Sequence, residues 1–348
     1  MTTVSMPDEA EPGTRAEAEP VRVRRWRLSA AWVGGAVLAL MTLACFGTLY
    51  WSIDELNAQQ LGHTLEAPAS PLVLMGLAEG DASGGWMGTD RLGRSVMWRA
   101  LLGGAISLGI GISAALITMF IGTAWGMIAG YAGGRTDAVM MRIVDVLYGL
   151  PYILLVVLLS VAIAAMPGRL KDLAAWFETR HVLDNLAGAT RWLSTRLAAN
   201  PVAVNLGALL VAIGAVSWLT LARVVRGQVL SLKGQPFVEA ARASGAGAPR
   251  ILFHHVLPNL IGPMIVYTTL TVPQAVLQES FLSFLGIGVR PPLPSWGNMA
   301  SEGLSELNPI ESHAWLLAWP CALLAVTLLA LNFVGDGLRD KFDPRGRA

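Results

Sequence analysis

The chain has 348 residues, 54% of them hydrophobic and only 14% charged, against roughly a quarter charged in a soluble globular chain. Its net charge of +1 gives no basic excess for nucleic acid, and its mean hydropathy of +0.54 is far from that of a soluble domain. The two cysteines, Cys45 and Cys321, lie far apart in apolar runs, which is neither a disulfide framework nor a metal-ligand spacing.

Residues 1–20 are rich in Glu, Ala and Pro and read as a disordered start to an N-terminal tail, 1–29. The run 30–50 carries no charge, and a helix needs about 20 apolar residues to cross the hydrocarbon core. It is too long for a signal-peptide core of about 7–15 residues. It also ends in bulky Leu49, Tyr50 and Trp51, so 30–51 reads as a retained first transmembrane helix. Residues 52–100 form a turn-rich extracytoplasmic loop. Further runs without Asp, Glu, Lys or Arg cover 101–134, 146–168, 200–222, 256–278 and 314–335. In lipid a backbone must satisfy its own hydrogen bonds, so each run predicts a helix, six spans in all.

Arg22, Arg24, Arg25 and Arg27 precede the first span. Lys and Arg beside span ends favour the cytoplasm, which places both termini inside, with 336–348 as a cytoplasmic tail. This orientation puts 16 of the 25 basic residues in inside segments and 9 outside. In the second span, Gly122, Gly126 and Gly130 share one face and permit close helix packing, with a partner chain as one candidate neighbour. Asp145 and Arg142, near the inner end of the third span, read as a structural ion pair. The outer segment 167–200 carries Leu170, Leu173, Trp176 and Phe177 at helical spacing, the pattern of an interfacial amphipathic helix. A third outer segment, 287–313, opens with Pro291, Pro292 and Pro294.

The segment 234–250, between the fourth and fifth spans, has the most specific local pattern. Pro236 suits a helix start, where its missing N–H is not needed. Val238 to Ser244 is dominated by alanine, a strong helix former. Gly245 and Gly247 can end it with positive φ, and Pro249 lets a new helix begin. The result is a short helix with small side chains that another surface can approach closely. Glu239 and Arg242 fall on one side of it.

Glu239-Ala240-Ala241, then Gly245, then Leu257-Pro258, resembles the EAA motif of bacterial ABC import permeases. His255 stands where that pattern usually has an aliphatic residue, and Val256 beside it is expected to take over the packing. Gly88-Thr89-Asp90-Arg91-Leu92-Gly93-Arg94, Arg142 to Pro151, Glu279 to Gly286, Pro294-Ser295-Trp296-Gly297 and Gly335 to Asp340 are similar to stretches of the dipeptide/oligopeptide type of that family. The resemblance implies an all-α integral membrane fold, with a peripheral first helix and a five-helix core spread over 101–335. It implies that 234–250 is the coupling helix, with Phe237, Glu239, Ala240, Ala241, Arg242, Gly245, Leu257 and Pro258 contacting an ATPase. The implied partners are a second similar permease, two ATPase subunits that bind the ATP and an extracytoplasmic solute-binding protein, in a bacterial inner membrane. The implied cargo is di- or oligopeptide. Members of the family also import nickel, glutathione or oligosaccharides.

Glu279 is the ionisable residue at the end of the fifth span, with Gln274 and Gln278 nearby. Charge at mid-bilayer costs about 2.5–3.5 kcal/mol on insertion scales. The three either line a substrate path or make interhelical hydrogen bonds near the outer face. Asp90, Arg91 and Arg94 are expected to fix the outer approach to the second span. The sequence has no Gly-x-x-x-x-Gly-Lys-Ser/Thr phosphate loop, no Gly-x-Ser-x-Gly and no His-Glu-x-x-His. It therefore carries no catalytic, metal or cofactor motif of its own. An ATPase-independent secondary transporter, which would show inverted repeats or broken helices, is the rival class.

Overall fold

The computed structural model describes residues 21–56, 58–75, 83–180 and 184–342. The expectations for 1–20 and 343–348 lie outside the described residues. So do the side chains of Arg22, Arg24, Arg25, Arg27, Trp176 and Phe177. The described elements are helical: α1 (Val21–Gly47), α2 (Leu49–Leu56), α3 (Pro71–Leu74), α4 (Val96–Ala132), α5 (Gly134–Tyr148), α6 (Tyr152–Ala164), α7 (Met166–Arg180), α8 (Asp184–Ala198), α9 (Pro201–Lys233), α10 (Pro236–Ala243), α11 (Ala248–Ile251), a π-helical turn (Leu252–Val256), α12 (Leu257–Phe284), α13 (Trp296–Ser305) and α14 (Trp315–Phe342).

Five stretches are long and apolar enough to cross a bilayer: Ala30–Gly47, Val96–Ala132, Pro201–Lys233, Ala248–Phe284 and Trp315–Phe342. The third expected span, 146–168, is not one helix. α5 and α6 meet at a 95° bend over Gly149-Leu150-Pro151. Pro151 has no N–H to continue the α5 ladder, and it disfavours helical φ/ψ at Leu150. α6, with 13 residues, rises about 20 Å, less than the roughly 30 Å hydrocarbon core. α5 and α6 together have the length and composition of a span only as a bent pair, which is the geometry of a broken span or of a re-entrant loop.

α4 and α9 form the spine. A Cβ on Gly122 would stand 3.0 Å from the Trp218 carbonyl oxygen, on Gly126 2.6 Å from that of Ala222, and on Gly130 3.0 Å from that of Arg226. The three glycines thus bring two helices of the same chain into backbone contact. This corrects the candidate of a partner chain on that face: the neighbour is α9. α6 and α12 flank the spine, and α14 packs on α12. α1 lies along α14 at the periphery, with Trp32, Leu40 and Leu43 exposed. The segment after α6 is a two-helix hairpin, α7 packed on α8, rather than a single amphipathic helix.

The end of the bundle opposite α10 is closed by α13 and the loop before it. Ser295 and Asn298 form a capping box: Ser295 N donates to Asn298 Oδ1 (2.8 Å) and Asn298 N to Ser295 Oγ (3.3 Å). Trp296 is fully buried, and its indole donates to the Ala100 carbonyl at 3.0 Å. Gly104 leaves room for that ring, since a Cβ there would lie 2.6 Å from it. A Cβ on Gly297 would overlap the Ser280 carbonyl, so α13 sits directly on α12.

Candidate functional site

The connection between α9 and α12 has the geometry its composition predicts. Pro236 is the first residue of α10, after the extended N-cap Gln235. Gly245 adopts φ +81, and the Ala246 N–H reaches back to the Ala241 carbonyl at 3.0 Å, a left-handed C-terminal closure. Gly247 does not share that conformation. It is the extended N-cap of α11, with φ −70 and ψ 161, because the chain must turn there into Pro249.

α10 is nearly all surface. Phe237, Glu239, Ala240, Arg242 and Gly245 are exposed and Ala241 is half-buried. Only Val238 is fully buried. It enters an apolar cluster with Val225 and Val229 of α9, Ile251 of α11, Val256 and Leu260. Met127 of α4 belongs to the same cluster. α10 thus packs on α9, α11 and the π-helical turn, and the cluster that holds Val238 continues to α4 and α12. Val256 is fully buried, as the displacement by His255 requires, while Leu257 is half-buried and Pro258 exposed.

A second feature lies at membrane depth. A cavity of about 550 Å³ opens between α5, α6, α9 and α12. Gln274 and Gln278 line it, together with Tyr152, Ser217, Thr220 and Thr271. The Tyr152 hydroxyl donates to Gln278 Oε1 at 2.5 Å and lies 3.2 Å from Ser217 Oγ. Ser217 in turn donates to the Ile213 carbonyl at 2.8 Å. Near the end of the cavity, Arg223 stacks over the Tyr148 ring at 4.2 Å and pairs with Asp145 at 2.9 Å. The partner of Asp145 is thus Arg223 on α9 rather than Arg142, because the bend after α5 turns Asp145 toward the spine.

Glu279 does not share this cavity. It is fully buried among serines: Ser283 Oγ donates to its Oε1 at 2.6 Å and Ser280 Oγ to its Oε2 at 3.3 Å. Ser283 Oγ also accepts the Val289 N–H at 2.9 Å. The carboxylate therefore fastens the top of α12 to the loop that leads into α13.

At the α13 end of the bundle lies an ion cluster in which Glu302 of α13 and Glu306, its C-cap, could not be linked to Asp90 from sequence spacing. Asp90 is buried and accepts from Arg94 and Arg99, both at 2.7 Å. Its other oxygen caps the turn, accepting the N–H groups of Leu92 and Arg94 at 2.9 Å. Arg99 continues to Glu302 at 2.8 Å, and Arg91 pairs with Glu306. Asp90, Arg91 and Arg94 thus hold the entry to α4 against α13.

Comparison with known proteins gives this arrangement its context. A family described as the binding-protein-dependent transport system inner membrane component matches residues 122–348. The chain is 42% identical over 262 residues to the dipeptide transport system permease protein DppC of Bacillus subtilis, covering 75% of this chain and 69% of that protein. It is 39% identical over 274 residues to the oligopeptide transport system permease protein OppC of Escherichia coli, covering 79% and 77%. The glutathione transport system permease protein GsiD of Pectobacterium atrosepticum is 35% identical over 269 residues, covering 77% and 75%. With membrane-length helices, a short exposed helix at one end and a capped opposite end, the chain belongs to the family of inner-membrane components of binding-protein-dependent transport systems.

Proposed function

We propose that the chain is one of two similar permease subunits of an ATP-driven importer that carries di- or oligopeptides across the bacterial inner membrane. A binding protein delivers the peptide to the outer face. Two ATPase subunits engage the opposite face, and the pore alternates between outward and inward access. The chain itself makes and breaks no covalent bond. Its work is a change of state set by differential binding energy.

The observation that carries this reading is the seat of α10. Phe237, Glu239, Ala240, Ala241, Arg242 and Gly245 offer a surface with little side-chain bulk, suited to a cleft in an ATPase. Val238 seats that surface on α9, α11 and the π-helical turn, within a buried cluster that reaches α4 and α12. A displacement of α10 is passed to spanning helices because packed cores shift between discrete arrangements rather than deform continuously. Gln274 and Gln278 then belong to the translocation path, and Glu279 to the frame that holds the outer loop. Both termini lie on the cytoplasmic side in this arrangement. Peptide cargo follows the similarity to the dipeptide and oligopeptide permeases; the lower identity to the glutathione permease makes glutathione the second reading.

The test is reconstitution of the chain with its partner permease, ATPases and binding protein in proteoliposomes. Uptake of a labelled peptide that requires ATP and the loaded binding protein is the expected result. Uptake of peptide by this chain alone, driven by an ion gradient, would contradict it.

A further inference from the structure

Among the described residues, no Asp, Glu, Lys, Arg or His lines the 550 Å³ cavity. Its polar side chains are neutral: the hydroxyls of its tyrosines, Ser217, Thr220 and Thr271 and the amides of Gln274 and Gln278. Arg223, which stacks on the Tyr148 ring of the wall, has its charge matched by Asp145. A cavity built to hold a charged side chain or a terminus at this depth would supply an opposite charge, because an unpaired ion in a low-dielectric site is costly.

Tyr152, Ser217 and Gln278 come from three helices, α6, α9 and α12, and converge: the Tyr152 hydroxyl donates to Gln278 Oε1 and lies 3.2 Å from Ser217 Oγ, whose own proton goes to the Ile213 carbonyl. Tyr152 and Gln278 also line a second, wholly apolar groove of about 310 Å³ beside Ile153, Leu277 and Phe281. The trio therefore stands where a polar compartment meets an apolar one. A hydroxyl and an amide present both a donor and an acceptor, the complement of a peptide unit.

Resting on the peptide-import reading above, we propose that Tyr152, Ser217 and Gln278 form a neutral subsite for peptide backbone, whose internal hydrogen bonds are exchanged for bonds to the amides of the passing substrate. Such a subsite recognises what all peptides share and ignores the charge of their side chains. Exchange of one set of hydrogen bonds for another is nearly balanced in free energy, so the substrate is guided without being trapped.

The experiment uses the complete reconstituted transporter and three tripeptides of equal length, with a neutral, an acidic or a basic central residue, each supplied on saturating binding protein. The wild type is expected to import all three within about twofold. Gln274→Glu, at an exposed position on the cavity wall, adds a charge without disturbing the trio. It is expected to depress acidic-peptide uptake at least about tenfold relative to basic. Tyr152→Phe and Ser217→Ala are expected to slow all three peptides alike while ATP hydrolysis continues. Equal uptake of all three peptides by Gln274→Glu, or strong charge preference in the wild type, would overturn the neutral subsite alone. Failure of the wild type to import any peptide would overturn the cargo reading and this proposal together.

Discussion

Gly126 sets the distance between two spans. A methyl group there would stand 2.6 Å from the Ala222 carbonyl oxygen and 2.8 Å from Val225 Cβ. Neither atom can yield without moving the α9 backbone. Gly126→Ala is expected to destabilise the protein by about 1–3 kcal/mol, read as a lowered unfolding temperature in detergent. Gly109→Ala, whose Cβ meets nothing within 4 Å, is expected to leave that temperature unchanged. The glycine spacing was legible in the sequence because small residues four apart, about one helical turn, mark a close face. Its neighbour was not, since spacing identifies a face and not what covers it. Asp145 teaches the same lesson: its partner Arg223 is 78 positions away, beyond the reach of local pattern. Arg99 adds a residue that sequence reasoning passed over. It is buried and joins Asp90 to Glu302. Arg99→Gln leaves Asp90 with an incomplete set of charge partners and is expected to cost about 3–5 kcal/mol. The measurable sign is faster protease cleavage of the loop around Asp90 in membrane vesicles of the one orientation that exposes it.

At the scale of elements, α10 was readable almost residue by residue. Pro236, the alanine run and Gly245 give its start, body and end, and each depends on local backbone chemistry alone. Its anchor depended on tertiary packing, and so Val238 was not singled out. Val238→Thr keeps the shape but buries a hydroxyl with no partner, a penalty of about 1–3 kcal/mol at that seat. The expected outcome in the reconstituted transporter is continued ATP hydrolysis with fewer peptides imported per ATP. An unchanged ratio would show that the Val238 seat does not carry the motion. The break between α5 and α6 was missed because the uncharged run 146–168 was weighed by its length. The information lay in Gly149-Leu150-Pro151, where the helical ladder has to stop, and in the amphipathic stretch before it, which a count of charges excludes. The α7–α8 hairpin was expected as a single helix for a similar reason, since apolar spacing was read over one short window only.

For the molecule as a whole, the neutral cavity, the buried Glu279 frame and the outer ion cluster occupy separate levels along the spanning helices, with α10 at the far end. The fold class was legible because the bilayer imposes one rule on every span: its backbone must be paired within itself. The division of labour among polar residues was not, because Gln278 and Glu279 are adjacent in sequence and point to different environments. The central claim is that α10 is the place where an ATPase grips this chain. The most direct test is affinity purification of the tagged chain in mild detergent, for the wild type and for a variant carrying Glu239→Lys and Gly245→Val. The expected wild-type preparation contains a second permease and ATPase subunits bearing a phosphate loop. The variant is expected to keep the second permease and lose the ATPases, because Gly245 has φ +81 and a β-branched residue cannot hold that turn. A wild-type chain that purifies alone, or a variant that retains its ATPases and its transport, would contradict the account.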